Sequence, residues 1–221
     1  MADTPLVPGP LYGLRAWTVV GGRGRERLAG PQRGTPWPAG GAWLHATCER
    51  APGHAAPAHG CACGVHGWHP SPATARRVLA GRGDVAGVVE ARGAVEVHCD
   101  GFRAARARPY ALVVTPGRNA RLIARLAEAH GAQVAEVGGP DELVGWCRER
   151  ALGLTPAVVS RLIGPEEAEA WRRARRRKAR SDALRLAAAL VIVALVLVLA
   201  FSLFGDAPDG RVFGRTGEVR P

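Results

Sequence analysis

The sequence lacks the short motifs that would name a reaction. Gly22-Arg23-Gly24 comes nearest to a phosphate loop, but no further glycine follows at the required spacing and no strand-to-helix unit surrounds it, which excludes a nucleotide-binding turn there. No two cysteines are spaced C-x-x-C, so a paired zinc knuckle is excluded too. Met1–Pro10 (MADTPLVPGP) has neither a basic n-region nor an apolar h-region, and no signal peptide is expected. No internal repeat runs along the chain. Lysine is nearly missing: of 30 basic residues only Lys178 is one. Long apolar runs are missing as well, with a single exception.

That exception organises the chain. Leu186–Phe204 (LAAALVIVALVLVLAFSLF) contains no charge, proline or glycine in 19 residues. As a helix it would be about 28 Å long, close to the ~30 Å hydrocarbon core of a bilayer, and a helix satisfies its own backbone groups in lipid. A buried core helix would keep a polar stripe, whereas this segment offers only Ser202. A transmembrane helix is therefore expected. Arg172, Arg173, Arg175, Arg176, Arg177, Lys178, Arg180 and Arg185 precede it against the single Asp182, a net of +7, while the 17 residues after it balance three arginines against three acids. Positive charge is retained on the cytoplasmic side. The expectation is a single-pass membrane protein with its N-terminal domain in the cytoplasm and residues 205–221 outside.

The same flank changes what the total charge means. The chain carries +11 and a pI near 10.9, which by itself suggests nucleic acid. Because +7 of it lies beside the apolar run, the expected partner of Arg172, Arg173, Arg175, Arg176, Arg177, Lys178 and Arg180 is anionic lipid. Outside the flank, Arg76, Arg77, Arg103, Arg106 and Arg108 are the remaining candidates for a basic face, and solvated strand and helix faces account for them equally well.

Residues 1–10 read as loose, and residues 11–108 as a small, mostly antiparallel β domain. Leu11–Val20 is its first strand, a short strand follows near Arg27–Leu28, Ala42–Cys48 is a strand or helical turn, and Cys61–Trp68 is a strand candidate. Ala73–Ala80 reads as a short helix with its arginines outward. Val89, Ala91, Gly93, Val95 and Val97 alternate with Glu90, Arg92 and Glu96, the period of a half-buried strand, and Gly93 marks a bulge or bend. Asp100-Gly101 is a hairpin-turn signal with a return strand at Phe102–Arg108. From residue 109 to 164 the pattern becomes β-α-β-α: Ala111–Thr115, Arg118–His130 closed by Gly131, Gln133–Val137, and Pro140–Arg150, followed by a helix capped by Thr155. Residues 165–185 form the basic juxtamembrane helix and 186–204 the span. The fold class is α+β.

Site chemistry is concentrated between Cys48 and His66, where Cys48, His54, His59, Cys61, Cys63 and His66 crowd into nineteen residues. Three thiolates and one imidazole suit a closed tetrahedral zinc, and Cys48, His54, Cys61 and Cys63 supply that set. The Cys-x-Cys spacing is tighter than a knuckle, and two other readings stay open: ordinary packed or loop cysteines, and thiol redox chemistry. A disulfide conflicts with a reducing cytoplasm. Cys99 and Cys147 fall on apolar faces and read as core, and His98 and His130 as surface. An anion site at the Pro116-Gly117-Arg118-Asn119 turn competes with an ordinary strand-to-helix connection.

The order Gly9-Pro10-Leu11, Cys48, His54-x-x-Pro57, Cys61-x-Cys63-Gly64, Gly87-Val88-Val89-Glu90 and Gly101-Phe102-Arg103-Ala104 resembles a group of uncharacterised actinobacterial proteins, over about Leu11–Val114. The resemblance implies a bacterial source and a shared domain, and no activity. The expected function is a membrane-anchored cytoplasmic interaction or sensing module, with structural zinc as its one cofactor. A thiol- or zinc-dependent enzyme and a membrane-tethered nucleic-acid binder are the alternatives.

Overall fold

The structure is a computed structural model that describes residues 9–170 apart from 23, 32, 33, 51, 52 and 82, together with 173, 176, 180, 187–195 and 197. It contains two units, Met1–Ala168 and Glu169–Pro221. In the first, the elements run β1 (Leu11–Val20), β2 (Arg27–Ala29), β3 (Leu44–His45), β4 (Val65–Trp68), α1 (Pro72–Leu79), β5 (Val85–Val97), β6 (Gly101–Val114), α2 (Ala120–His130), β7 (Gln133–Glu136), α3 (Pro140–Glu149) and α4 (Pro156–Ile163).

The expected α+β class with a mostly antiparallel sheet is what the chain adopts. β6 is its spine. β5 pairs along one edge of β6, while β4, β3 and the parallel β7 take successive stretches of the other, at residues 101–104, 106–107 and 111–114. β1 pairs with β5 over Leu11–Trp17 and touches β4 at Leu14↔Trp68, so β1, β5, β6 and β4 close on themselves. The strand period of two then divides the apolar residues into two cores. Val85, Val89, Ala91, Val95 and Val97 join Trp17, Trp37, Phe102 and the α2 residues Ile123 and Leu126. Ala86 and Val88 join Leu14, Val78 of α1, and Leu143 and Cys147 of α3. Trp17 and Trp37 meet edge to face at 5.4 Å in the first core.

Local chemistry explains most boundaries. Ser71 and Thr74 form a capping box at α1, Asn119 accepts from the Leu122 N–H at α2, and Thr155 accepts from the Val158 N–H at α4. Gly93 does sit at a bulge: Gly93 and Ala94 oppose the single Ala105, and Gly93 takes φ +86, which a side chain would resist. Other expectations shift. The hairpin loop is Cys99-Asp100, held by reciprocal backbone bonds between His98 and Gly101, so it lies one residue before the Asp-Gly signal and places Cys99 in the turn rather than on a strand face. β4 begins only at Val65, because Cys61–Gly64 turns to present its sulfurs. No break in the sheet falls at residue 109. β6 runs straight through Pro109, whose missing N–H is tolerated beside a second register shift at Val88/Val89. His130 is buried, not on the surface: its Nδ1 lies 2.8 Å from the Pro38 carbonyl and its Nε2 accepts from the Leu28 N–H at 3.2 Å. Those contacts fix the neutral Nδ1–H tautomer, and burial lowers the pKa of the ring. Cys147 is core as expected, its thiol raised to about 11 by burial.

In the second unit, residues 187–195 and 197 are helical and exposed, with Leu190, Val191, Ile192, Val193, Leu195 and Leu197 all more than half accessible. Among the described residues no helix is long and apolar enough to cross a membrane. The remainder of the expected span 186–204, the tail 205–221, and Arg172, Arg175, Arg177 and Lys178 of the basic flank lie outside the described residues. Arg173, Arg176 and Arg180 are helical and exposed, and Arg173 pairs with Glu169 one turn earlier at 3.5 Å.

Candidate metal centre

The segment from Glu49 to Gly60 has almost nothing larger than alanine to bury, and the burial of Ala56 and Pro57 contributes little to ordering it. Its ends are fastened instead. Before it, the Ala46 N–H donates to the Ala105 carbonyl at 2.7 Å; after it, Val65 pairs with Ala104. Two neighbouring residues of β6 therefore hold the two ends of the loop, and this brings Cys48 back against Cys61 and Cys63.

The Cys48 and Cys61 sulfurs are 3.6 Å apart, and His54 Nε2 lies 3.3 Å from the Cys63 sulfur. All four donor atoms fall within 4.8 Å of one another, with Cys48 buried and the others half-buried. A tetrahedral zinc with Zn–S near 2.3 Å puts its sulfurs about 3.8 Å apart. The closer contacts already match, and the widest pair would draw in by ~1 Å on closing round a metal. The four residues named from the sequence thus form one cluster with the donor chemistry of structural zinc. His59 and His66 fall outside it: His59 is exposed and lies 3.8 Å from Glu96, and His66 Nε2 faces the Ala62 carbonyl at 3.3 Å.

The thiols are already differentiated. Cys61 is lowered to about 7, chiefly by a hydrogen bond from the Cys63 backbone to its sulfur and then by the Cys48 and Cys63 thiols. Cys63 is pushed up, first by burial. The Cys61 sulfur is therefore the more readily deprotonated of the two, and the donor N–H would stabilise it equally when metal-bound. Gly64 directs the chain away after Cys63. It has φ +115, and a Cβ there would lie 3.0 Å from that of Arg103 and 3.2 Å from that of Pro57.

A second layer was not apparent from the sequence. Arg103 is buried in an ion pair with Glu96, donates to the Cys63 carbonyl at 3.4 Å and to His98 Nε2 at 3.2 Å, and so ties the loop to the hairpin. Glu96 and Arg103 are cross-strand partners, placed symmetrically about the Cys99-Asp100 turn, and opposite charges at mirrored positions are the signal that could have found them. Three other proposed basic-face residues are also engaged, while Arg76 is exposed on α1. Arg106 and Arg108 lie over the Trp43 ring at 5.3 and 4.7 Å, Arg108 pairs with the buried Glu90 at 2.8 Å, and Arg77 covers Trp68 at 4.3 Å. At the Pro116–Asn119 turn, Arg118 donates to the Asp84 and Leu79 carbonyls, and Glu142 accepts from the Gly138 N–H at the start of α3, which disfavours an anion.

Beside the sulfurs opens a pocket of about 420 Å³, walled by Arg15, Trp37, Thr47, Cys61 and His66 among others. Arg15 is a further residue that the strand pattern did not single out, although a charge inside LYGLRAWTVV is unusual for a strand bordered by core. No protein-family model, curated protein or solved structure matches this chain, so the donor cluster and its pocket are read from their own geometry.

Proposed function

We propose that this chain is a single-pass membrane protein whose N-terminal α+β unit is a cytoplasmic interaction or sensing module braced by a structural zinc on Cys48, His54, Cys61 and Cys63. The observation that carries the metal part is the convergence of four protein donors within 4.8 Å. Four protein ligands complete a tetrahedron and leave no position for substrate, which favours a structural ion over a catalytic one. The anchor is supported by the uncharged run Leu186–Phe204, by the net +7 that precedes it, and by the exposed helical residues 187–195, whose side chains are alanine, leucine, valine and isoleucine only. Leu190–Leu195 in water would be an apolar surface without cover; in lipid it needs none. The basic flank then sits at the anionic headgroups.

The test uses the full chain expressed in a bacterial host. It should fractionate with membranes and resist extraction by salt, a reporter after Pro221 should be active outside the cytoplasm, and the purified protein should hold about one zinc per chain, lost in Cys63→Ser. Extraction by salt alone would sink the anchor. A metal-free protein with an alkylatable Cys63 beside His54 would replace the structural site with thiol chemistry.

A further inference from the structure

Cys48 and Cys61 stand as a pair inside the donor cluster. Their sulfurs are 3.6 Å apart, whereas the Cys63 sulfur faces His54 Nε2 at 3.3 Å. A disulfide bond is about 2.05 Å long, so the two sulfurs have roughly 1.5 Å to close, within reach of side-chain rotation. The scaffold holds them there through its own backbone. Cys48 lies just after Ala46 and Cys61 just before Val65, and those two residues are fixed to the adjacent β6 residues Ala105 and Ala104. Thiols kept face to face by the fold react with each other far faster than with thiols in solution.

Both cysteines also line the pocket of about 420 Å³ beside the cluster, and Cys61 is half-buried where Cys48 is only 9% exposed. The more open thiol is the one that a small oxidant reaches first, and the enclosed one beside it is its resolving partner. We propose that Cys48 and Cys61 form a reversible disulfide on reaction with hydrogen peroxide, so that the donor cluster is a site of oxidative modification. Written for the thiols, the Cys61 sulfur attacks one peroxide oxygen and the O–O bond breaks. The far oxygen leaves as water with the Cys61 proton, and Cys61 becomes a sulfenic acid. The Cys48 sulfur then displaces the sulfenic hydroxyl, the S–S bond forms, and the hydroxyl leaves as a second water with the Cys48 proton. Each sulfur gives up one electron and the peroxide takes both.

This modification rests on the donor cluster of the metal reading and supplies its regulation. A disulfide sulfur carries no negative charge for a cation, so the cluster would keep only His54 and Cys63, half of a tetrahedron. The new bond would fasten the base of the segment 49–60, while His54, the one member of the cluster within that segment, would lose its hold. A transient disulfide of this kind is compatible with a reducing compartment, because a dithiol restores both cysteines by exchange.

The experiment reduces the full chain in detergent micelles, removes the reductant, measures zinc, and adds one equivalent of hydrogen peroxide. The intact mass should fall by two hydrogens. Tryptic peptides 34–50 and 51–76 should become linked, with fragmentation placing the bond at Cys61 rather than Cys63. The zinc counted beforehand should be released over the same time course, and dithiothreitol should reverse the linkage. Cys48→Ser should instead leave Cys61 as a sulfenic acid that dimedone traps. A bond to Cys63, to Cys99 or between chains, oxidation of Cys61 without a bond to Cys48, or no disulfide even with peroxide in excess would overturn the proposal. The wild-type map decides the matter even if the variant does not fold. The zinc measured before peroxide separates the two readings: a metal-free chain that still forms the Cys48–Cys61 bond would sink only the zinc, and a zinc-bearing chain that never forms it would sink only the disulfide.

Discussion

The β5–β6 hairpin and the loop from Cys48 to Cys63 meet at Arg103, yet they are ordered by opposite means. The hairpin is held by a long backbone ladder with two register shifts and by side chains of both cores, so its conformation follows from burial and alternation. The loop has no ladder and little to bury. Its order comes from two attachment points on β6 and from polar atoms converging on a common centre. The comparison teaches that stability and local order are separable here. Damage to the hairpin should unfold the unit, whereas damage to the donor set should loosen one segment of it.

Glu96→Ala attacks the junction and carries the largest expected effect. It leaves Arg103 buried without its carboxylate, at a cost of about 3–5 kcal/mol, and frees the guanidinium that steadies the Cys63 carbonyl. Urea denaturation should show that loss together with weaker zinc retention; an unchanged midpoint would mean that the two regions are not coupled through this pair. Leu112→Ala sharpens the contrast, because Leu112 is fully buried in a core cluster that includes none of the donors. It should lower stability by ~2–5 kcal/mol while zinc stoichiometry stays the same.

The smallest effect is that of acid. Burial lowers the pKa values of His130 and His69 below the ordinary 6.5. The folded state therefore prefers both rings neutral, and their contribution is complete above the unfolded value and is lost as pH falls from about 6.5 through the folded values. The denaturation midpoint should fall as pH drops below 6.5, and His130→Gln should remove part of that slope. A slope identical in the variant would assign the acid sensitivity to the metal ligands instead.

The sequence made some of this legible and hid the rest for physical reasons. Leu11–Val20 was readable to the residue, because an apolar run bounded by Pro10 and Gly21 allows little else. The four donors were readable from crowding alone. The continuity of β6 was not, since Pro109 and three arginines break its apolar pattern and only the pairing partners show that the interruptions are bulges and cross-strand ion pairs. The burial of His130 was equally hidden. At the last position of α2 it resembles an exposed cap, and the groups that satisfy its ring, Pro38 and Leu28, belong to a Gly- and Pro-rich stretch without a period.

The pairing of β1 with β5 governs how the chain can be made. Residues 11–17 pair with residues 91–85, so the first strand leaves the ribosome long before its neighbour exists. At roughly 5–20 residues per second that delay lasts several seconds. Throughout it Leu11, Leu14 and Trp17 have no sheet to enter, whereas β5 and β6 are joined by a two-residue loop and can zip as soon as both emerge. The second hairpin strand thus completes the template on which the earlier strands settle, and nascent chains stalled before Val114 should be the ones that recruit holdase chaperones.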